Sequence, residues 1–404
     1  MRPIEIAIAG CGPAGLAAAL LLHRQGHSVT LFDRFAEPQP IGSGLMLQPT
    51  GLAVLDHLGL GEKVRARGAP IHRLFGRSST TGRRVLDVQY SWLKADAQPA
   101  IGIHRATLFD ILFDAVCAHG IEVRTGKEVV GSRVTSAKRR LVFSNGTESS
   151  EAGLIIDATD VRSQLAPAQG RTLAYGALWG TIEWPIHSNL DHAALEQRYR
   201  AASLMVGIMP IGTSGETGKS LATFFWSLRH DQLSNWQASP FKAWKDQVEA
   251  AWPELSAILP QFTQHSQLTF AQYAHRTLAS PASDRLIHVG DAWHSTSPQL
   301  GQGANMALLD VYALAMGLKN EVDLARALGR AVRLRRGHVR LYQALSAALT
   351  PFYQSDSRIL PWVRDALVPH IAGLWPATWI QAAMVSGLIG NPLGRLGLGQ
   401  APAA

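Results

Sequence analysis

The stretch IEIAIAGCGPAGLAAALLLHRQGHSVTLFDR, residues 4–34, decides the fold. Residues 4–9 form an isoleucine-rich run of strand length, apolar enough to be buried. Gly10-Cys11-Gly12-Pro13-Ala14-Gly15 follows at once, and residues 16–24 have the Ala and Leu composition of a helix. Gly26 stops that helix, residues 28–32 form a second strand, and Asp33 closes it, 18 residues after Gly15. Strand, G-x-G-x-x-G, helix, strand and acid make a complete dinucleotide-binding βαβ unit. Gly10 permits the tight turn, Gly12 lets backbone approach a pyrophosphate, and Gly15 lets helix and strand pack closely. The helix opening at Pro13 and Ala14 offers free N–H groups and a positive dipole end to phosphates. Asp33 can accept from ribose hydroxyls, and its charge disfavours a 2′-phosphate there. Arg34, the next residue, is counted with the same site.

The 404 residues set a prior of two to three domains. With 47% apolar and 17% charged residues, the chain is neither disordered, collagen-like nor a charged coiled coil. Two cysteines, Cys11 and Cys117, exclude a disulfide framework and a Cys-rich zinc site, so a reducing, cytoplasmic setting is expected. The net charge of +8 raises the odds of acidic partners, although a solvated basic surface also explains it. The densest basic run, Arg330, Arg333, Arg335, Arg336 and Arg340, lacks aromatic interleaving, and no nucleic-acid partner is expected. Residues 6–22 and 371–394 are uncharged, but glycines and prolines interrupt both. The second stretch is read as buried helices, with a peripheral membrane or dimer contact as the alternative.

Further along, residues 72–78 and 85–92 are strand-like and joined by Thr80-Thr81-Gly82, which predicts a hairpin. Arg105, Leu108 and Leu112 fall at helical spacing in a helix running to about residue 119. Strands are predicted over 122–124, 129–134, 141–144 and 154–156. The texture then changes: 175–184, 203–211, 220–229 and 268–275 predict a mainly antiparallel sheet covering a pocket. A helix is predicted from 240 to 262, with Pro253 starting a second one.

The stretch from Gly290-Asp291 through Pro298 to Gly301-Gln302-Gly303-Ala304-Asn305 is the second informative motif. A strand over 285–289 ends in Gly-Asp, a proline-containing loop follows, and Gly301 and Gly303 open a helix. Two glycine-cradled helix starts, 291 residues apart from Gly10 to Gly301, imply a long ligand held at both ends.

The pairing of these two motifs resembles the class A flavoprotein monooxygenases, the para-hydroxybenzoate hydroxylase-like superfamily. The likeness runs from residue 4 to about 320, and the remainder matches only in being helical. The resemblance implies an α/β fold: a Rossmann-type FAD-binding domain (1–70, 100–164 and 281–320), an inserted, mainly antiparallel β-sheet substrate domain (71–99 and 165–280) and a helical C-terminal region (321–404). It implies FAD, with AMP on the first loop and Asp291 on a ribityl hydroxyl. Pro298 would border the reactive edge of the flavin. Backbone N–H groups from Gly301 to Gly303 would face the pyrimidine end, with Asn305 supporting that loop and Arg105 toward the linker.

The implied activity is insertion of one oxygen atom from dioxygen, through a flavin C4a-hydroperoxide, into an aromatic, heteroaromatic or polycyclic apolar substrate. NADH or NADPH would be the reductant. No nucleophile or metal is required, and no H-E-x-x-H, C-x-x-C or G-x-S-x-G is present. His294 is the nearest titratable side chain to the loop and is read either as a proton relay or as structural. Met205, Gly207 and Met209 share one face of their strand, as do Phe224 and Trp226 of theirs, so Met209, Phe224 and Trp226 are expected substrate contacts. Trp293 walls the pocket or packs against a helix.

One departure stands out. The family's Asp-Gly ahead of Val-Arg-Ser is here Thr159-Asp160, before Val161-Arg162-Ser163, and Asp157 replaces a small residue. This puts the nicotinamide step in doubt. Three alternatives stay open: a two-component oxygenase or halogenase fed by a flavin reductase, an isoprenoid reductase, and a non-catalytic FAD-binding protein. The halogenase branch lacks a Trp-x-Trp-x-Ile-Pro stretch.

Overall fold

The strand Glu5–Ala9 lies inside a six-stranded sheet, between Leu154–Asp157 and Ser28–Phe32. Glu122–Arg124 extends one side, and Leu286–His288 with the edge strand Ala282–Ser283 extends the other. All neighbours are parallel except that edge pair. Ile6, Ala7, Ile8 and Ala9 are buried, as expected for a parallel strand covered on both faces. The computed structural model describes the chain apart from residues 38–42, 168–169, 186–187, 216, 372 and 400–404. The last residues of the expected helical C-terminal region lie outside that description.

Register places the strand ends side by side. Ala9 stands opposite both Phe32 and Asp157, and Asp157 stands opposite His288. The chain therefore leaves three neighbouring parallel strands at one edge, at Gly10, Ala158 and Val289. Helix Pro13–His23 packs against helix Gly303–Asn320, so the two glycine-opened helices lie together over the sheet.

An eight-stranded sheet forms the second layer. Its order is His294–Ser295, Thr269–Thr277, Arg171–Glu183, Ser220–Arg229, Leu204–Thr213, Ala194–Arg200, Arg73–Ser78 and Arg84–Gln89. All pairs are antiparallel except Ala194–Arg200 with Arg73–Ser78. The expected hairpin is present, with Gly82 in the left-handed region its turn requires. Strand Ala194–Arg200 and a small sheet of Gly44–Leu47, Ala100–His104 and Ala69–Ile71 were not anticipated.

One face of the large sheet is covered by helices Leu233–Ala238 and Phe241–Ala251 and by 3-10 turns at Pro253–Ala257 and Leu259–Gln261. The expected second helix at Pro253 is thus a tight turn followed by another. Helix Leu324–Tyr353 begins at Asp323, whose side chain accepts from the Arg326 N–H at 2.9 Å. Helices Ile359–Ile371, Ala377–Val385 and Pro392–Arg395 follow.

The expectation of buried helices over 371–394 needs correction. Ala382, Ala383 and Val385 are buried, but Leu374, Trp375, Trp379 and Ile380 are exposed. Among the described residues no helix is long and apolar enough to cross a membrane.

Candidate active site

The first turn is built as its glycines predict. Gly10 has φ +102°, and a side chain there would begin 2.5 Å from the Ala158 carbonyl oxygen. A side chain on Gly15 would begin 1.9 Å from the Gly10 carbonyl. Above Gly12, by contrast, nothing lies within 4 Å of that position. Backbone is pressed together on two sides and left open on the third, at the start of helix Pro13–His23. The Asp33 carboxylate ties the loop down: Oδ2 accepts from the Cys11 N–H at 2.6 Å, leaving capacity for further donors. Arg34 is exposed beside it.

The second turn emerges from the adjacent part of the same sheet edge. Gly290 is left-handed, and its N–H donates to Asp310 Oδ2 at 3.0 Å. Asp291 opens onto the cleft over Gly303; its Oδ1 lies 3.9 Å from where a side chain on Gly303 would start. Enclosure raises the Asp291 carboxyl above its ordinary range, and the charges of His294 and Arg105 pull it back. Arg105, the exposed first residue of helix Arg105–Ala118, therefore acts on the same cleft.

Pro298 starts a 3-10 turn that ends at Gly301, φ +60°. Asn305 holds this turn: Nδ2 donates to the carbonyls of Gly301 at 3.0 Å and Met46 at 3.1 Å, and Oδ1 accepts from the Gln48 N–H at 2.8 Å. Gln302 Nε2 donates to the Val385 carbonyl at 2.5 Å, binding the C-terminal helix to the loop. Ala304 is half-buried in the first turn of helix Gly303–Asn320.

Four expected site residues, His294, Phe224, Trp226 and Trp293, lie elsewhere in role. His294 does not face the cleft. It is buried, with Nε2 donating to Asp310 Oδ2 at 2.5 Å; Asp310 Oδ1 accepts from Arg335 Nε at 2.7 Å, and Arg335 donates to His338 Nδ1 at 2.9 Å. Burial alone would raise Asp310, but the charges of His294 and Arg335 hold it below the usual carboxylate range. Phe224 and Trp226 are packed on the helix-covered face with Trp244 and, for Phe224, Phe262. Met209 belongs to the other face, among Ile71, Tyr90, Ala382 and Val385. Trp293 is buried in the core beneath helix Leu324–Tyr353, with Nε1 donating to the Leu278 carbonyl at 3.2 Å.

Residues missed by the sequence reading lie on the Met209 face. Opposite Gly207 stands Phe225, which touches Trp179 with ring centroids 4.9 Å apart. Trp179 Nε1 donates to the Tyr273 hydroxyl at 2.8 Å. Enclosure raises the Tyr273 phenol, and the Trp179 hydrogen bond and the Arg105 charge work against it.

Asp157 and Asp160 are also resolved. Asp157 is buried and accepts from Ser163 Oγ at 2.5 Å and from Thr159 Oγ1 and His288 Nδ1, both at 2.7 Å. These bonds outweigh the effect of burial and keep it ionised, as a staple between two strand ends. Asp160 has φ +150°, in the region that favours glycine, and its charge reaches Asp291.

The profile of the FAD-binding-domain family matches residues 3–326. The chain belongs to this family. Relatives include 6-methylpretetramide 4-monooxygenase of Streptomyces rimosus, 30% identical over 82% of this chain and 80% of that protein. Another is 3-hydroxybenzoate 6-hydroxylase of Klebsiella oxytoca, 27% identical over 81% of this chain and 84% of that one. The crystal structure of Klebsiella pneumoniae HpxO with FAD and uric acid has the same fold, with TM-score 0.79 at 19% identity over 97% of this chain and 98% of that one. This family member is an FAD-dependent monooxygenase of the class A type.

FAD fits the residues present. The open cradle over Gly12 suits a pyrophosphate. At the second turn, Gln48 Nε2, Gln299 Nε2 and Gln302 Oε1 are buried without a partner, and Gln48 Nε2 lies 3.9 Å from the side-chain position of Gly301. Two unpaired donors beside this turn suit the carbonyl oxygens of a ring edge, whereas Gln302 Oε1 lies toward Gly387.

Proposed function

We propose that this monooxygenase hydroxylates an apolar aromatic, heteroaromatic or polycyclic compound held between the Met209 face of the large sheet and the Pro298 turn. The observation that carries this reading is the meeting of both glycine turns at one sheet edge, with an aromatic and methionine-bearing face opposite. FAD supplies the redox chemistry: it accepts two electrons and activates dioxygen, so that one oxygen atom reaches the substrate and the other leaves as water.

The protein's part is binding and shielding. Gly10, Gly12, Pro13, Ala14 and Gly15 hold the pyrophosphate, with Asp33 and Arg34 at the adenosine ribose. Arg105 and Asp291 hold the linker. Pro298, Gly301, Gln302, Gly303, Ala304 and Asn305 form the flavin turn. Met209, Phe225 and Trp179 exclude water and orient the ring. Tyr273 accepts from Trp179, so its own hydroxyl proton is free to be donated to a substrate oxygen or nitrogen. NADH or NADPH is the proposed reductant.

Relatives hydroxylate 3-hydroxybenzoate and urate, and Pseudomonas aeruginosa PqsL binds 2-aminobenzoylacetate, all small aromatic or heteroaromatic compounds. The test is anaerobic mixing of the FAD-loaded enzyme with NADH or NADPH in the presence of such compounds. Bleaching of the flavin, followed on aeration by a product heavier by one oxygen atom, is expected. Failure of every aromatic tested to accelerate reduction or to gain oxygen overturns the reading.

A second reading assigns reduction to a separate flavin reductase. It is favoured by Thr159-Asp160, which stands where the family has Asp-Gly ahead of Val161-Arg162-Ser163. Under that reading NAD(P)H alone leaves the flavin oxidised, while externally reduced flavin supports oxygenation.

A further inference from the structure

Among the described residues ten large apolar side chains stand exposed, and seven of them fall between 359 and 380. Ile359, Trp362 and Leu367 lie on helix Ile359–Ile371, Leu374 and Trp375 lie in the turn that follows, and Trp379 and Ile380 lie in the first turn of helix Ala377–Val385. Trp375 is 82% exposed, Ile359 71% and Trp362 70%. Single exposed apolar residues are ordinary, but a cluster of this density marks a docking face.

These helices already have an inner side. Ala382 and Val385 pack with Met209 and Tyr90, and Arg364 is buried, donating to the carbonyls of Phe352 at 2.7 Å and Ala201 at 3.1 Å. The exposed residues are therefore an outer face, left over after the core contacts are made.

The surroundings select the occupant. Asp365 is paired with Arg364, and Asp87 is outnumbered by Arg73 and Arg84, while Arg229 is shared between Asp231 and Asp356. Exposed Arg358 precedes the first helix, and exposed Arg83 precedes the strand Arg84–Gln89 on which both helices pack. The whole chain carries +8. Three tryptophans, Trp362, Trp375 and Trp379, add rings with an apolar body and one N–H, a combination that settles at the headgroup level of a bilayer.

We propose that this face docks the enzyme on an anionic lipid surface, with the three tryptophans seated among the headgroups and the arginines against lipid phosphates. A second copy of the chain would bring the same positive rim against itself, whereas an anionic bilayer neutralises it. The proposal goes beyond the reading of the reaction and does not depend on which compound is oxidised.

The test is sedimentation of the FAD-loaded full chain with vesicles of phosphatidylcholine alone or mixed with phosphatidylglycerol. Binding to the mixed vesicles is expected, weaker on phosphatidylcholine alone and weakened by salt. The combined variant Trp362→Ala/Trp375→Ala/Trp379→Ala should lower partitioning about ten-fold, while flavin absorbance and melting temperature stay at the parent values. Parent protein that remains in the supernatant, or a variant that binds equally, overturns the proposal. So does a dimer, seen by analytical ultracentrifugation, that the same substitutions dissolve when no vesicle binding occurs.

Discussion

A side chain at Gly10 would meet the Ala158 carbonyl at 2.5 Å, whereas one at Gly12 would meet nothing within 4 Å. The same Gly→Ala change should therefore have different results at two positions of one loop. Gly10→Ala adds a steric clash to a strained φ and should lower stability by about 2–4 kcal/mol, read as a fall in melting temperature of the cofactor-free protein. Gly12→Ala should melt like the parent but lose FAD affinity in a flavin-fluorescence titration, because the methyl occupies space meant for phosphate. Asp160 supplies the opposite case. It is a non-glycine residue in a glycine conformation, partly compensated by its Oδ1 accepting from the Arg162 N–H at 2.6 Å. Asp160→Gly should raise stability by about 1 kcal/mol, checked by denaturant unfolding; a loss would show that the Arg162 contact outweighs the strain.

At the scale of elements, strand register assigns neighbouring side chains to opposite faces of the large sheet. Phe224 and Phe225 are neighbours in sequence and both buried, but on opposite faces: the first packs against Trp244 and Phe262, the second against Trp179, Met205 and Tyr199. Phe224→Ala should destabilise by about 3–5 kcal/mol with flavin absorbance unchanged at low temperature. Phe225→Ala should raise KM for the aromatic substrate and increase uncoupled oxygen consumption, measured as hydrogen peroxide per NAD(P)H oxidised.

The sequence shows that alternate residues share a face, since the period of two is local. It does not show which face of one strand matches which face of the next, because that needs the register Ile208↔Phe224 and Met209↔Thr223. For this reason the sequence grouped Met209 with Phe224 and Trp226, which lie on the opposite face. The βαβ unit and the second glycine turn were legible because each carries glycine where backbone must touch backbone or ligand. Strand Ala194–Arg200 was not, because Glu196, Gln197 and Arg198 mask its alternation. The role of His294 was also hidden, since its partner Asp310 lies on the facing helix.

Across the whole molecule, buried charges link layers far apart in sequence. Arg335 donates to His338 Nδ1, and His338 Nε2 donates to the Gly387 carbonyl at 3.0 Å, which fixes a neutral ring with its proton on Nε2. Burial, and then the Arg335 charge, hold the His338 pKa down at about 3. A histidine depressed in the folded state takes up its proton only on unfolding, so stability should fall as pH drops below about 6.5, by up to about 1.4 kcal/mol per pH unit. Asp157 and Asp310 are depressed carboxylates, so their contribution is complete above about pH 4 and is lost only below it. His338→Gln should thus weaken the acid destabilisation below about pH 6.5, leaving the part due to His27, His57 and His275, which burial also depresses, followed by thermal melting across that range. Asp310→Asn should cost about 3–5 kcal/mol at neutral pH, because it leaves Arg335 buried without its counter-charge.

The Gln302 bond to Val385 sets a limit on dissecting the chain. The stretch recognised as the family domain stops at residue 326, but Asp310 needs Arg335, Gln302 needs the Val385 carbonyl, and Thr50 Oγ1 donates to the Ser386 carbonyl. An excised 3–326 fragment would carry a buried aspartate without its arginine and two donors stripped of their acceptors, within or near the Pro298–Gly301 turn. The smallest self-sufficient unit therefore reaches at least Gly387, and the tail is as much a part of the nucleotide cradle as the glycines that announce it.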